Sequence, residues 1–284
     1  MITSSPSRLH ARTARFGANV AVEWNQVGKQ VQFYVKALRA IGDVAVYYKT
    51  EVLRLIAQMS MGSGALALIG GTTVIVGFLT MSAGALIAVQ GYNSLAGIGA
   101  EALTGFESAY LNVRLIAPLT AGIGLAATIG AGTTAQLGAM RISEEIDALE
   151  VMGIRSIAYL ASTRIVAGLV AVMPLYCVAV VMSFVAARIG TTVAYGQSVG
   201  VYDHYFRTFF NPVDLLWSFL EALVMTVAIM LVHTYYGYTA TGGPAGVGEA
   251  VGRAVRSSLI AAVSVTVLVS LSVYGQSGHF HYSS

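Results

Sequence analysis

Five stretches of this chain are apolar enough, for long enough, to cross a bilayer as helices, and that leaves few folds open to it. They run over residues 64–90, 109–140, 157–187, 213–236 and 257–274. Each is near or above the ~20 residues a helix needs to span the hydrocarbon. The second and third are longer, which predicts tilt or an extension past the bilayer. Composition agrees: 10% of residues are charged, against about 25% in soluble domains. The single cysteine, Cys177, excludes an internal disulfide and reads as a small core hydrophobe within the third tract. No apolar h-region lies near the N-terminus, so entry into the membrane is expected through the first span.

The basic residues set an expected orientation. Eight precede the first tract: Arg8, Arg12, Arg15, Lys29, Lys36, Arg39, Lys49 and Arg54. Arg141, Arg155 and Arg164 flank the gap between tracts two and three, and Arg253 and Arg256 precede tract five. Five spans put these thirteen on one side and only Arg114, Arg188 and Arg207 on the other. Positive charge collects in the cytoplasm, so the N-terminus is expected there and the tail outside.

Before the spans, residues 1–15 are polar and basic and are expected to be disordered. From residue 16 to 60 a helical period appears. Phe16, Val20, Trp24, Val27, Val31, Val35, Leu38, Ala45, Val52 and Leu55 recur on one side, with Lys29, Lys36 and Arg39 on the other. The pattern predicts an amphipathic helix lying in the bilayer interface.

Between spans two and three lies an island of charge, Arg141 to Gly153, reading R-I-S-E-E-I-D-A-L-E-V-M-G. Glu144, Glu145, Asp147 and Glu150 cannot sit in hydrocarbon, where each charge costs about 2.5–3.5 kcal/mol. Ser143 can cap a helix whose first turn carries Glu144 and Glu145. Ile146, Leu149 and Gly153 form a narrow apolar stripe. The segment reads as a surface helix presented to a partner, or as an ordinary solvated helix. Span two before it carries a small residue every turn, Gly122, Ala126, Gly130, Thr134 and Gly138, which predicts a close helix contact.

The expected external connections are open to more than one interpretation. Residues 91–108 suggest a short helix at the surface. Residues 191–211 hold Tyr195, Tyr202, Tyr205, Phe206, Phe209 and Phe210, either an interfacial belt or a docking face. Glu221 and Arg114 fall early in their spans, near the external face. No phosphate-cradling glycine-lysine loop is present, and the run Gly242–Gly252 reads as a cytoplasmic turn. His10, His204, His233, His279 and His281 are scattered, so no metal site is expected. Ser63 and His233 fall on the same side and are the one candidate nucleophile pair, although His233 reads more simply as an interface residue.

The island, the Arg164-Ile165-Val166-Ala167-Gly168 run, Tyr235-Tyr236-Gly237-Tyr238 and the Gly242-to-Gly248 loop together resemble the MlaE/YrbE family of ABC-transporter permeases, over roughly residues 45–276. The likeness is nearest to the B-type YrbE permeases of actinobacterial (mycobacterial) Mce lipid importers. It implies an all-α membrane protein: an N-terminal interfacial helix region, a five-span domain over 61–276 with a cytoplasmic coupling helix at 143–153, and an external tail at 277–284. It also implies an inner-membrane permease, not an enzyme, moving fatty acids or sterols such as cholesterol. The chain itself would bind no cofactor; ATP and Mg would sit on a separate cytoplasmic ATPase dimer. That ATPase would grip Glu144, Glu145 and Asp147 by charge and Ile146, Leu149, Met152 and Gly153 by shape. Ser156 and Thr163 stand where prolines are common in the broader family, which favours pairing with an A-type paralogue over a homodimer. External MCE-domain proteins complete the implied complex. The implied lipid cavity draws on span one and the loop after it: Val76, Leu79, Thr80, Ala83, Ile87, Tyr92 and Glu101. An anchor for external proteins without transport of its own, and a membrane-embedded Ser/His hydrolase, are the alternatives.

Overall fold

The computed structural model describes residues 24–61 and 71–274. Residues 1–23, Ser63 and the tail carrying His279 and His281 lie outside them. The described residues contain helices and no strand. Five helices are long and apolar enough to span: α4 (Gly71–Ala96), α5 (Glu101–Ile142), α7 (Ile157–Ala194), α9 (Pro212–Tyr238) and α10 (Gly243–Val273). The chain is a multi-pass membrane protein. Shorter helices precede and join the spans: α1 (24–39), α2 (Ile41–Tyr47), α3 (Lys49–Met61), α6 (Glu145–Val151) and α8 (Val199–Phe209).

The region over 16–60 is not one helix where it is described. It turns at Ala40 and again at Tyr48, whose φ of −120° and ψ of 27° leave the helical well. The stripe read across both breaks does not keep one exposure, since Leu55 at its far end is buried, at 1% exposure. In α1 that stripe faces outward: Trp24, Val27, Val31, Val35 and Leu38 are all exposed. Phe33 and Ala37 are buried instead, on a second face turned to the bundle. Lys29, Lys36 and Arg39 occupy a third. A helix with an apolar, a polar and a core-facing side suits a bilayer boundary.

The spans pack chiefly as α4 on α7, α9 on α10, and α5 in the groove beside α9 and α10. The core joins Val76, Leu125, Ile165, Val172, Leu175, Met225, Ile229 and Met230. Lipid is as apolar as leucine, so close approach has to drive this packing, and small residues mark the contacts. At Gly84 an added Cβ would overlap the Ser183 backbone, and at Gly168 it would come within 2.9 Å of Met230. Gly84 lets two spans meet backbone to backbone, and Gly168 lets a backbone meet a side chain.

Two expected connections are absorbed into helices. The first span runs on to Ala96, and Glu101 already opens the next, leaving only four residues between them. The Gly242–Gly252 run is not a turn beyond Gly242, whose φ of 89° starts α10; Gly243 onward is helical. Its many glycines hide a helix from a reading by propensity. Cys177 lies exposed on the outer surface of α7, not in the core.

Candidate functional site

The island folds as α6, and its ends are built by backbone geometry. Ser143 does not cap it: Ser143 closes α5 and directs its hydroxyl to Glu145 Oε1 at 2.9 Å. Glu144 is the N-cap residue, in the left-handed region at φ 59°, and its carbonyl accepts from Ala148 N at 3.0 Å. At the other end Gly153 takes φ 76°. Ile154 N bonds to Leu149 O and Gly153 N to Glu150 O, each at 3.0 Å. That pair of bonds is a Schellman stop, which an L-residue at Gly153 would strain.

The stripe of α6 points into its own bundle. Ile146 is fully buried against Leu137 and Leu160, and Leu149 packs half-buried beside it. Ile146 is therefore a peg holding α6 down, not a side chain offered outward. What faces solvent is acidic and apolar at once: Glu144, Glu145 and Asp147 are exposed, with Val151 at 89% and Met152 at 66%. Arg141 Nη1 reaches Asp147 Oδ1 at 2.6 Å, tying α6 to the end of α5.

Glu150 fastens the other side. Its Oε1 accepts from Ser156 Oγ at 2.6 Å and from Tyr238 OH at 2.9 Å. The Ser156 hydroxyl, then the Tyr238 hydroxyl, hold this carboxyl below the usual carboxylate range by bonding its charged form. Tyr238 in turn packs on the Phe33 ring at 5.4 Å between centroids. Arg155 Nη1 pairs with Asp43 Oδ2 at 2.9 Å. Between these groups lies an open cavity of about 550 Å³, lined among others by Lys36, Arg39, Asp43, Glu150 and Arg155.

Beneath α6, the small-residue ladder of α5 lies against α9. A Cβ at Gly122 would overlap Met225, and one at Gly130 would lie 2.5 Å from the His233 imidazole. Thr134 Oγ1 sits 2.8 Å from His233 Nδ1, and His233 Nε2 sits 3.0 Å from Ser258 Oγ. His233 thus joins α5, α9 and α10 and is fully buried. It is not an interface residue. Gly138 makes room for Val247 of α10.

The family model described as Permease MlaE matches residues 61–272. The chain belongs to the MlaE permease family. A probable ABC transporter permease protein of Rickettsia bellii is 26% identical over 259 residues, covering 87% of this chain and 93% of the relative. The intermembrane phospholipid transport system permease protein MlaE of Haemophilus influenzae is 24% identical over 267 residues, 88% and 96% of the two chains. The chloroplastic protein TRIGALACTOSYLDIACYLGLYCEROL 1 of Arabidopsis thaliana is 29% identical over 147 residues, 52% of this chain and 42% of its own. The relatives named as transporter permeases place this MlaE-family chain among transport subunits and not among enzymes.

The cavity residues expected for this MlaE-family permease do not converge. Val76 is fully buried against the Gly124 backbone, and Thr80 is buried with its hydroxyl on the carbonyls of Val76 and Gly77. Ile87 is nearly buried and Ala83 partly so, while Leu79 points outward. Tyr92 stacks on Tyr195 at 4.4 Å, and the Glu101 carbonyl accepts from Gln197. Packing against α5 and α7 buries part of this set and leaves the rest outside. Glu221, placed by sequence near a membrane face, lies nine residues into α9, roughly 13–14 Å along the axis at 1.5 Å per residue. It is 1% exposed. Among the described residues no three metal-ligating side chains gather.

Proposed function

We propose that this MlaE-family chain is the permease subunit of an ABC-type lipid transporter and that α6 is the helix through which a separate ATPase drives it. The observation carrying the proposal is the split character of α6. Ile146 and Glu150 lock it to the bundle, while Glu144, Glu145, Asp147, Val151 and Met152 face outward. A surface meant to receive force needs such a footing. The acidic group suits basic or polar groups of the ATPase, and Met152 with Val151 supplies apolar contact at the centre of such an interface. ATP and Mg belong to that ATPase dimer; this chain needs no nucleotide site.

The same proposal places the chain in the inner membrane with the N-terminus and α6 cytoplasmic, as the distribution of basic residues favours. It pairs the chain with an A-type YrbE paralogue and external MCE-domain proteins of an Mce system, carrying fatty acids or sterols. Ser156 and Thr163, standing where prolines are common in the broader family, support the B-type reading; the Ser156 hydroxyl also bonds Glu150 (2.6 Å). A phospholipid cargo is the second reading, favoured by the name of the Haemophilus relative.

The test is affinity purification of the tagged chain in mild detergent, with mass spectrometry of proteins and bound lipids. Recovery of an ABC ATPase and a second permease is expected, and loss of the ATPase on Glu144→Lys with Glu145→Lys. Retention of both ATPase and transport in that double variant would overturn the role of α6.

A further inference from the structure

The C-terminal end of α6 meets α1 around the open cavity of about 550 Å³. Lys36, Arg39, Asp43, Glu150 and Arg155 bring three cations and two carboxylates to its walls. Both carboxylates are already engaged: Asp43 pairs with Arg155, and Glu150 accepts from Ser156 and Tyr238. Lys36 and Arg39 are not. Both are exposed, and among the described residues neither side chain has an ion pair or a hydrogen bond. Three residues apart, they share one face of α1. Beside that face runs the outward apolar stripe of Val31, Val35 and Leu38, exposed at 52%, 38% and 41%.

We infer that this cavity holds the head of an anionic phospholipid, its phosphate between Lys36 and Arg39 and its chains along Val31, Val35 and Leu38. The inference takes from the proposed function only that this end of the bundle meets the cytoplasmic leaflet, where anionic lipids gather at clusters of Lys and Arg. An arginine fork and a lysine ammonium on one helix face can hold one phosphate between them. A zwitterionic head brings its own cation against the same pair, with both carboxylates taken, so charge selects against it. The volume is roughly eighteen times the ~30 Å³ of one water, room for a hydrated phosphate diester, while the chains have the open face of α1. Apart from Ile157 and Ala158 at the start of α7, the lining comes from α1, α2, the end of α6 and the turn after it. A lipid held there stays in its leaflet. It is a resident of the site, distinct from any cargo the spans carry, and it bridges α1 to the turn over 153–155.

The experiment uses the full-length chain with its co-purifying proteins, in phosphatidylcholine vesicles holding one of two probes. One is a phosphatidylglycerol and the other a phosphatidylcholine, each with a diazirine on its head. The phosphatidylglycerol probe should label residues 36–43 and 150–158 about tenfold above the phosphatidylcholine probe. One basic residue near the surface is worth about fivefold in binding anionic lipid, so Lys36→Gln with Arg39→Gln should cut that labelling by about tenfold or more. Both side chains are exposed, so the fold should survive, and an unchanged thermal midpoint checks it. Lys29→Gln with Lys49→Gln removes the same charge from outside the cavity and should change the labelling by less than about twofold. Equal labelling by the two probes, full labelling after the first pair of substitutions, or an equal loss after the second would overturn the inference. So would complete cross-linking of Arg39→Cys to a co-purified protein, which would give the cavity to a protein partner. Selective labelling of a chain that recovers no ATPase would leave this site standing and remove the ATPase reading of α6. Equal labelling with the ATPase recovered would remove this site alone.

Discussion

Helix α9 buries two titratable side chains twelve residues apart, His233 and Glu221, and they are treated in opposite ways. His233 has a hydroxyl at each ring nitrogen, Thr134 on one side and Ser258 on the other. Glu221 has nothing within bonding geometry on either oxygen. The first is a structural fastener, fully satisfied by the chain that holds it. The second is incomplete in the chain alone. One helix thus carries a side chain whose burial is matched by hydrogen bonds and one whose burial is not.

The contrast can be broken experimentally. The largest effect is expected at Gly130→Leu, which drives a side chain into the His233 ring; overpacking of this kind costs about 3 kcal/mol or more. Loss of the folded peak in detergent size-exclusion chromatography would report it. His233→Ala should follow, at about 2–4 kcal/mol, because it opens a cavity and strands the Thr134 and Ser258 hydroxyls. Thermal unfolding of the purified chain measures it, and an unchanged midpoint would refute the fastener role.

Glu150 should show a smaller, pH-dependent effect. Its carboxyl is held below the ordinary range in the folded chain, so the stabilisation is present above the unfolded pKa and is lost as pH falls through the folded one. Hydrogen exchange over 144–153 should rise as pH drops through that acidic window, after correction for intrinsic exchange, and Glu150→Gln should flatten the dependence. The smallest effect belongs to Glu221→Gln. With no bond to lose, its unfolding midpoint should stay within what about 1 kcal/mol moves, and a drop as large as that of His233→Ala would erase the contrast.

Much of the fold was legible because hydropathy over twenty residues is a strong signal. The tracts ending at 140 and 236 correspond to helices ending at Ile142 and Tyr238. The charged gap at 141–153 stood out for the same reason. What a single sequence could not supply was direction. The stripe of Ile146 and Leu149 was visible, but whether it faced a partner or the bundle depends on Leu137 and Leu160, contributed by two other helices. The face of α4 over Val76 to Ile87 was likewise periodic, yet α7 covers part of it. His233 was read as a boundary residue from its tyrosine neighbours. The clue lay elsewhere, in the gap that Gly130 leaves and the hydroxyl that Thr134 places one turn later.

Tyr238 gives the surface helix a mechanical property. Its hydroxyl holds Glu150 of α6 and its ring rests on Phe33 of α1, while Arg141 and Asp147 brace the opposite side. If α6 is the helix an ATPase pushes, as proposed above, these contacts are the route by which its displacement reaches α1 and the ends of α5 and α9.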